Sequence, residues 1–259
     1  MSEAAALLEA LPSVAFQSAL LFCRIGAFAM LLPGIGEATV PAPMRLGIAL
    51  ALVATLFPVV APALPPPPAA LPGAAGLVIR EVVIGIWLGM MVRIAAQALV
   101  MAGQLIAFMI GISNVLVADP ALGGQVSPLS LLLGMAATAG ILSTGLHELP
   151  LRALVESYAI LPAGASLPLG DAAETVGLAV VHSLSVALRL AAPFVLVSLM
   201  IQVLGGLVGR VAPQTQAFIL VMPAQVLLCL LLLVVLLPQI LQHYEADLRE
   251  TWRSLPFAG

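Results

Sequence analysis

The feature that most constrains this chain is a series of about six long apolar segments joined by short connectors. They cover residues 14–32, 45–60, 76–111, 128–147, 172–209 and 214–241. Only 8% of the residues are charged, whereas a soluble domain carries about 25%, so the chain cannot cover a water-facing surface. The sequence therefore predicts an all-α membrane protein with about six long apolar helices.

Two of these segments are too long to be simple membrane crossings. A spanning helix needs about 20 residues. As continuous helices, residues 76–111 and 172–209 would each extend beyond about 50 Å, longer than a bilayer of about 45 Å with its headgroups. Each is therefore expected either to leave the bilayer or to be broken, and Pro193 predicts a kink in the second.

The remaining regions are expected to belong to the same single membrane domain, residues 1–259. The connector "APALPPPPAALPG" favours an extended polyproline conformation. The central loop is rich in small residues, and Asp119 is its only charge. These regions are an N-terminal tail (1–13), the Pro-rich connector (61–73), the central loop (111–127) and a polar C-terminal tail (242–259).

Polar side chains recur at helical spacing inside two apolar segments. One stripe contains Arg93, Gln97 and Gln104, and another contains His182 and Arg189. Ionisable groups at membrane depth are costly, so we expect the stripes to face other helices, of this chain or of another. A path for a transported substrate is the alternative. The candidate interhelical contacts are Arg24, Arg45, Arg93, Gln97, Gln104, His182, Arg189 and Arg210.

Several classes of function are disfavoured by the residues. The three histidines lie far apart in the sequence and form no metal-binding spacing, and neither a nucleophile elbow nor a dinucleotide fingerprint is found. We therefore expect no enzymatic activity, no cofactor and no metal. A net charge of −3 with scattered arginines provides no basic patch for nucleic acid. Cys23 and Cys229 are expected to be packed thiols rather than a disulfide.

Three ordered blocks resemble the FliR/SctT family of type III secretion export-gate components. The first is "RIGAFAMLLPGIGEATVPAPMRLGIALAL" at 24–52, and the third is "RVAPQTQAFILVMP" at 210–223. In the third block, Thr215 and Gln216 stand near a usual Asn, and Val221 and Met222 stand where Gly is common. The second block, 95–134, carries the family's Gly103, Gln104, Gly111, Asp119, Pro120 and Gln125.

The resemblance implies a fold and a role for the whole chain. Members of the family form kinked helical hairpins and resemble a FliP-like and a FliQ-like subunit fused together. With FliP and FliQ they make the channel that carries unfolded export substrates across the bacterial inner membrane at the flagellar basal body. FlhB-like and FlhA-like proteins are the further partners, besides membrane lipid. An injectisome homologue and a small secondary transporter remain the alternatives.

The resemblance also implies that the central loop projects into the pore as a plug. Apolar side chains there would seal the pore, and glycines would let the loop yield to a passing chain. An ordinary connector between helices is the alternative. The expected plug residues are Gly111, Ile112, Val115, Leu116, Val117, Asp119, Pro120, Gly123, Gly124 and Gln125.

Overall fold

A computed structural model describes residues 3–112, 117–119, 124–211 and 217–255. Within these residues the chain forms eight α-helices, one 3₁₀ turn at Ala61–Ala63 and one pair of three-residue strands. The elements are α1 (Glu3–Ala29), α2 (Ala42–Val60), α3 (Leu71–Ala96), α4 (Ala98–Ile110), β1 (Val117–Asp119), β2 (Gly124–Val126), α5 (Pro128–Ser143), α6 (Glu148–Ile160), α7 (Leu169–Val211) and α8 (Ala217–Arg253).

The predicted all-α class, with about six long apolar helices, is confirmed. Five helical stretches are long and apolar enough to cross a membrane, and α5 with α6 makes a sixth if the pair counts as one span bent by 68°. The exception to the all-α pattern is the strand pair, which lies within the central loop, residues 111–127. Its strands run antiparallel, with Val117 opposite Val126.

The over-long third segment is interrupted at one residue, Gln97, which separates α3 from α4 within a helical stretch of 40 residues. The N–H of Gln97 bonds to the carbonyl of Ile94, three residues earlier, at 3.2 Å, which is a 3₁₀-type bond between two α-helices. The helix resumes at Ala98 and ends at Gly111, whose φ of 89° is the left-handed conformation that commonly terminates helices. No proline causes this break, so the segment alone did not reveal where it would fall.

The two last helices are unbroken in backbone assignment although they contain prolines. Helix α7 has 43 residues with Pro193 inside it, and α8 has 37 residues. At 1.5 Å per residue they extend for about 64 Å and about 55 Å along their axes. Helix α7 begins at Leu169, so Asp171 lies in its first turn.

Helices extend into both regions named as tails. Residues 3–13 belong to α1, and residues 242–253 are the last turns of α8. The C-terminal turns have a polar face and a buried face, because Tyr244, Leu248 and Trp252 are almost fully inaccessible. This spacing of four residues marks one side of a helix, and it explains why a polar composition does not end the helix at residue 241.

The chain divides into two compact units. Unit 1 comprises Met1–Arg93, Gly145–Ala179 and Glu250–Gly259, and unit 2 comprises Ile94–Thr144 and Val180–Arg249. The core of unit 1 includes Leu21, Ile25, Phe28 and Ile84, whereas that of unit 2 includes Leu99, Ile106 and Leu133. That the whole chain acts as a single membrane domain stays a prediction.

Candidate functional site

A buried ion pair lies at the centre of unit 1. The guanidinium of Arg24 on α1 donates two hydrogen bonds to the carboxylate of Glu81 on α3, from Nε to Oε2 at 2.8 Å and from Nη2 to Oε1 at 3.0 Å. Both side chains are fully inaccessible to solvent. Such parallel bonds are the strongest geometry for this pair of groups, and they join the first apolar segment to the third.

The two side chains make three further hydrogen bonds besides those that join them. Arg24 donates from Nη1 to the hydroxyl of Ser157 at 3.2 Å and from Nη2 to the carbonyl of Leu161 at 3.0 Å. The N–H of Gly164 donates to Oε1 of Glu81 at 2.9 Å. The guanidinium also lies 3.9 Å from the ring centroid of Tyr158, within the range of a cation–π contact. The network therefore connects α1, α3, α6 and the segment that follows α6.

Glycine permits the close approach of α1 and α3 beside this pair. A Cβ at Gly85 would collide with the carbonyl oxygen of Arg24 and lie 2.9 Å from the Cβ of Ala27. At Gly89, a Cβ would lie 2.8 Å from the Cβ of Leu31. The Gly85/Gly89 spacing is the small-xxx-small pattern that lets helices pack tightly in lipid, and here it brings Glu81 within reach of Arg24.

In unit 2, helices α4 and α5 form a hairpin, and the β1–β2 pair belongs to the segment that connects them. Helices α4 and α5 pack against each other, and a Cβ at Gly103 would lie 2.8 Å from the Cα of Ser130. The amide oxygen of Gln104 accepts bonds from the N–H of Ser127 at 3.1 Å and the hydroxyl of Ser130 at 2.7 Å. Ser127 also caps α5 by accepting from the N–H of Ser130. Gln104 thus holds the point where the strand pair returns to the helices.

Sequence comparisons identify the family. The profile described as "Bacterial export proteins, family 1" matches residues 15–251. The flagellar biosynthetic protein FliR of Caulobacter vibrioides is 36% identical over 92% of this chain and 96% of its own length.

The chain belongs to the FliR/SctT family. The FliR of Escherichia coli K12 is 29% identical over 90% of this chain and 88% of its own length. The Yop proteins translocation protein T of Yersinia pestis is 28% identical over 64% of this chain and 65% of its own length. As a FliR/SctT member with five apolar helices of spanning length, the chain is an integral membrane component of a type III export apparatus.

The plug residues suggested by the FliR/SctT resemblance fall into three groups. Gly111 caps α4, and Ile112 follows it with a half-buried side chain. The strand pair contains Val117, Asp119, Gly124 and Gln125, with Asp119 opposite Gly124. The others, Val115, Leu116, Pro120 and Gly123, lie outside the described residues.

The candidate interhelical residues are not brought together in one cluster, and they differ in whether they have a partner among the described residues. Arg24 and Gln104 are bonded as described above, and His182 lies 3.2 Å from Asp247 of α8, measured from Nε2 to Oδ2. Arg45 reaches the sulfur of Met30 at 3.8 Å. Within the described part of the chain, no hydrogen bond or ion pair is made by the side chains of Arg93, Gln97, Arg189 or Arg210.

Two acidic residues that the sequence analysis did not name are partners of candidate contacts: Glu81 pairs with Arg24, and Asp247 pairs with His182. A signal for the first was present: Glu81 is the only acidic residue in segment 76–111, and Arg24 is the only charged residue in segment 14–32. Isolated opposite charges in two apolar segments are expected to neutralise each other. Asp247 lay in the region interpreted as a tail, so its position beside His182 depended on the continuation of α8.

Proposed function

We propose that the chain is a non-enzymatic structural subunit of the export gate at the base of the bacterial flagellum. In this proposal it lies in the inner membrane and joins FliP-like and FliQ-like subunits to form the channel for unfolded export substrates. FlhB-like and FlhA-like proteins are the further partners.

The observation that carries the proposal is the length of the last two helices. Helix α7, with 43 residues, and α8, with 37, are about twice as long as the 20 or so residues that cross a bilayer. A compact transporter that works alone has little use for such helices. A subunit of a tall assembly can instead pack their outer halves against neighbouring subunits.

A second observation supports a plug at the tip of the α4–α5 hairpin. Between two apolar helices the chain forms a small strand pair, and its base is held by Gln104, Ser127 and Ser130. A strand pair on a fixed base is suited to obstruct a pore and to yield without unpacking the helices. The plug residues are those of the central loop defined above, residues 111–127.

The flagellar assignment is favoured over the injectisome by similarity. The FliR of Caulobacter vibrioides matches at 36% identity over 92% of the chain, whereas the Yop translocation protein matches at 28% over 64%. The secondary-transporter alternative needs the polar stripe of Arg93, Gln97 and Gln104 to line a substrate path. Gln104 is less suited to this, because its amide oxygen already accepts hydrogen bonds from Ser127 and Ser130.

The test is deletion and replacement of the gene in a flagellated host. Deletion should abolish motility and the appearance of flagellar subunits outside the cell, and a tagged wild-type chain should restore both. The restored chain should co-purify with FliP-like and FliQ-like subunits. Normal flagellar export after deletion, or purification as an active protein without other subunits, would refute the proposal.

A further inference from the structure

One exposed face of α7 carries a stripe of residues at seven-residue spacing. We define this α7 stripe as Arg189, Ala192, Leu196, Leu199 and Val203; all five side chains are exposed. Leu196, Leu199 and Val203 are each more than half exposed, at 62%, 57% and 57%. Alternating steps of three and four residues place them on one face of the helix, the pattern by which long helices pack side by side.

Arg189 is the exceptional member of this stripe. It lies at the middle of α7, about 30 Å from either end of the helix. Its guanidinium has no hydrogen-bond or ion-pair partner among the described residues. Pro193, four residues later, has no N–H to donate to the carbonyl of Arg189. One position on an apolar face therefore presents a cation and a backbone acceptor together.

Lipid alone cannot cover the stripe. The hydrocarbon core of a bilayer is about 30 Å thick, roughly half of the length of α7. If the core is centred on Arg189, an unpaired guanidinium lies about 15 Å from either surface. If it is centred on one half of α7, exposed leucines and valines of the other half face water as a continuous apolar patch. Each placement requires protein on this face.

We propose that the α7 stripe docks a long apolar helix of another export-apparatus subunit, with a carboxylate of that helix set against Arg189. Apolar side chains of the partner would cover Leu196, Leu199 and Val203, and the carboxylate would neutralise the guanidinium. A single polar residue in an apolar seam selects one register, since any shift leaves it unpaired. Arg189 is thereby the residue that sets the register of the partner helix.

This inference rests on the proposed function only in identifying the partner as a subunit of the same apparatus. The first test uses the tagged chain in the deletion host and measures how much of the other membrane subunits co-purifies per copy of the chain. Arg189→Glu should reduce that amount by more than about tenfold, because it sets two carboxylates together. Arg189→Lys should retain much more of it than Arg189→Ala.

Arg152→Glu is the matched control. It makes the same change of charge on α6, where Arg152 is 73% exposed and lies 3.7 Å from Glu148, and it should leave co-purification near the wild-type level. Selection for recovered motility from Arg189→Glu should yield Asp or Glu replaced by Lys or Arg in an apolar helix of another subunit. Wild-type co-purification of Arg189→Glu, or suppressors confined to this chain, would overturn the inference.

A second measurement keeps Arg189 in place, in case the charge variant is degraded. A photo-reactive residue at Leu196, two turns from Arg189 on the same face, should form an adduct with an apolar helix of another subunit. That helix should carry an Asp or Glu about seven residues from the point of attachment. Adducts with lipid only would overturn the inference. If deletion of the gene leaves export intact, the proposed function fails instead.

Discussion

Arg24 and Glu81 are 57 residues apart in sequence, yet they form two parallel hydrogen bonds at 2.8 and 3.0 Å in the fully buried interior of unit 1. Two charges withdrawn from solvent are tolerated because nearly every polar atom of the pair has a partner, including Ser157 and the backbone of Gly164. An arrangement of this kind is strongly sensitive to the loss of one member.

Replacement of Glu81 by Ala should therefore destabilise the chain by about 3–5 kcal/mol, because it strands the Arg24 guanidinium in the interior. The measurement is the temperature at which the detergent-extracted complex becomes sensitive to protease. Glu148→Ala is the control: it removes an exposed pair with Arg152, 3.7 Å long, which is worth about 0–1 kcal/mol. Equal effects of the two substitutions would contradict a structural role for the buried pair.

The close crossing of α1 and α3 makes a second prediction at Gly85. In Gly85→Ala, the new methyl group meets the carbonyl oxygen of Arg24, a backbone atom that cannot move away independently. We expect α3 to be displaced and Glu81, one turn earlier, to lose its alignment with Arg24. The cost should be about 1–3 kcal/mol, as for overpacked cores, and protease sensitivity reports it as well.

Helix α3 also offers the control for this substitution. A Cβ at Gly76 has no atom within 4 Å, so Gly76→Ala should be neutral or stabilising by up to about 1 kcal/mol through helix propensity. If both glycines tolerate alanine equally, the close approach at Gly85 does not limit stability.

The sequence predicted the types of residue in these contacts better than their partners. Arg24 was expected to make an interhelical contact because it interrupts an apolar segment, and the spacing of Gly85 and Gly89 is visible in the sequence as the small-xxx-small pattern of closely packed helices. Which element would supply the carboxylate depended on how α1, α3 and α6 pack, since the contacts of Arg24 extend 57 to 137 residues along the chain. Spacing within one segment does not pair residues so far apart, and the isolated opposite charges of Arg24 and Glu81 were the one signal for this pair.

Helix ends were harder to predict than helix existence. The one-residue interruption at Gln97 involves neither proline nor glycine, and it coincides with a single 3₁₀-type bond. Helix α8 extends beyond residue 241 because tertiary packing buries Tyr244 and Trp252. The polar composition of this region gave no indication of that burial. The strand pair was missed because its strands have only three residues each, too short for an alternating pattern to register.

The base of the α4–α5 hairpin makes a third prediction. Gln104→Leu removes the acceptor for the N–H of Ser127 and the hydroxyl of Ser130. A buried donor without a partner costs about 1–3 kcal/mol, so amide exchange at Ser127 and in β2 should become faster. Gln97→Leu is the control from the same polar stripe, because the Gln97 side chain has no hydrogen bond within the described residues. Equal exchange rates in the two variants would remove Gln104 from this role.

The last prediction concerns the plug proposed for the central loop. Deletion of residues 115–122 removes β1 and the connection beyond it, and leaves α4 to its cap at Gly111 and α5 from its cap at Ser127. The cost of closing a flexible loop changes only slowly with its length, so the helices should still pack. We expect the assembled gate to become leaky, with faster permeation of ions or small solutes into cells than with the wild-type chain at equal abundance of the complex.

Co-purification of the other subunits with the shortened chain is the control for assembly, since a gate that fails to form cannot report on a plug. The Gln104→Leu variant provides a graded comparison, because it loosens the base of the hairpin but retains every residue of the loop. Its permeation should fall between those of the wild-type chain and the deletion. Unchanged permeation in the deletion, with assembly intact, would show that the central loop is only a connector between α4 and α5.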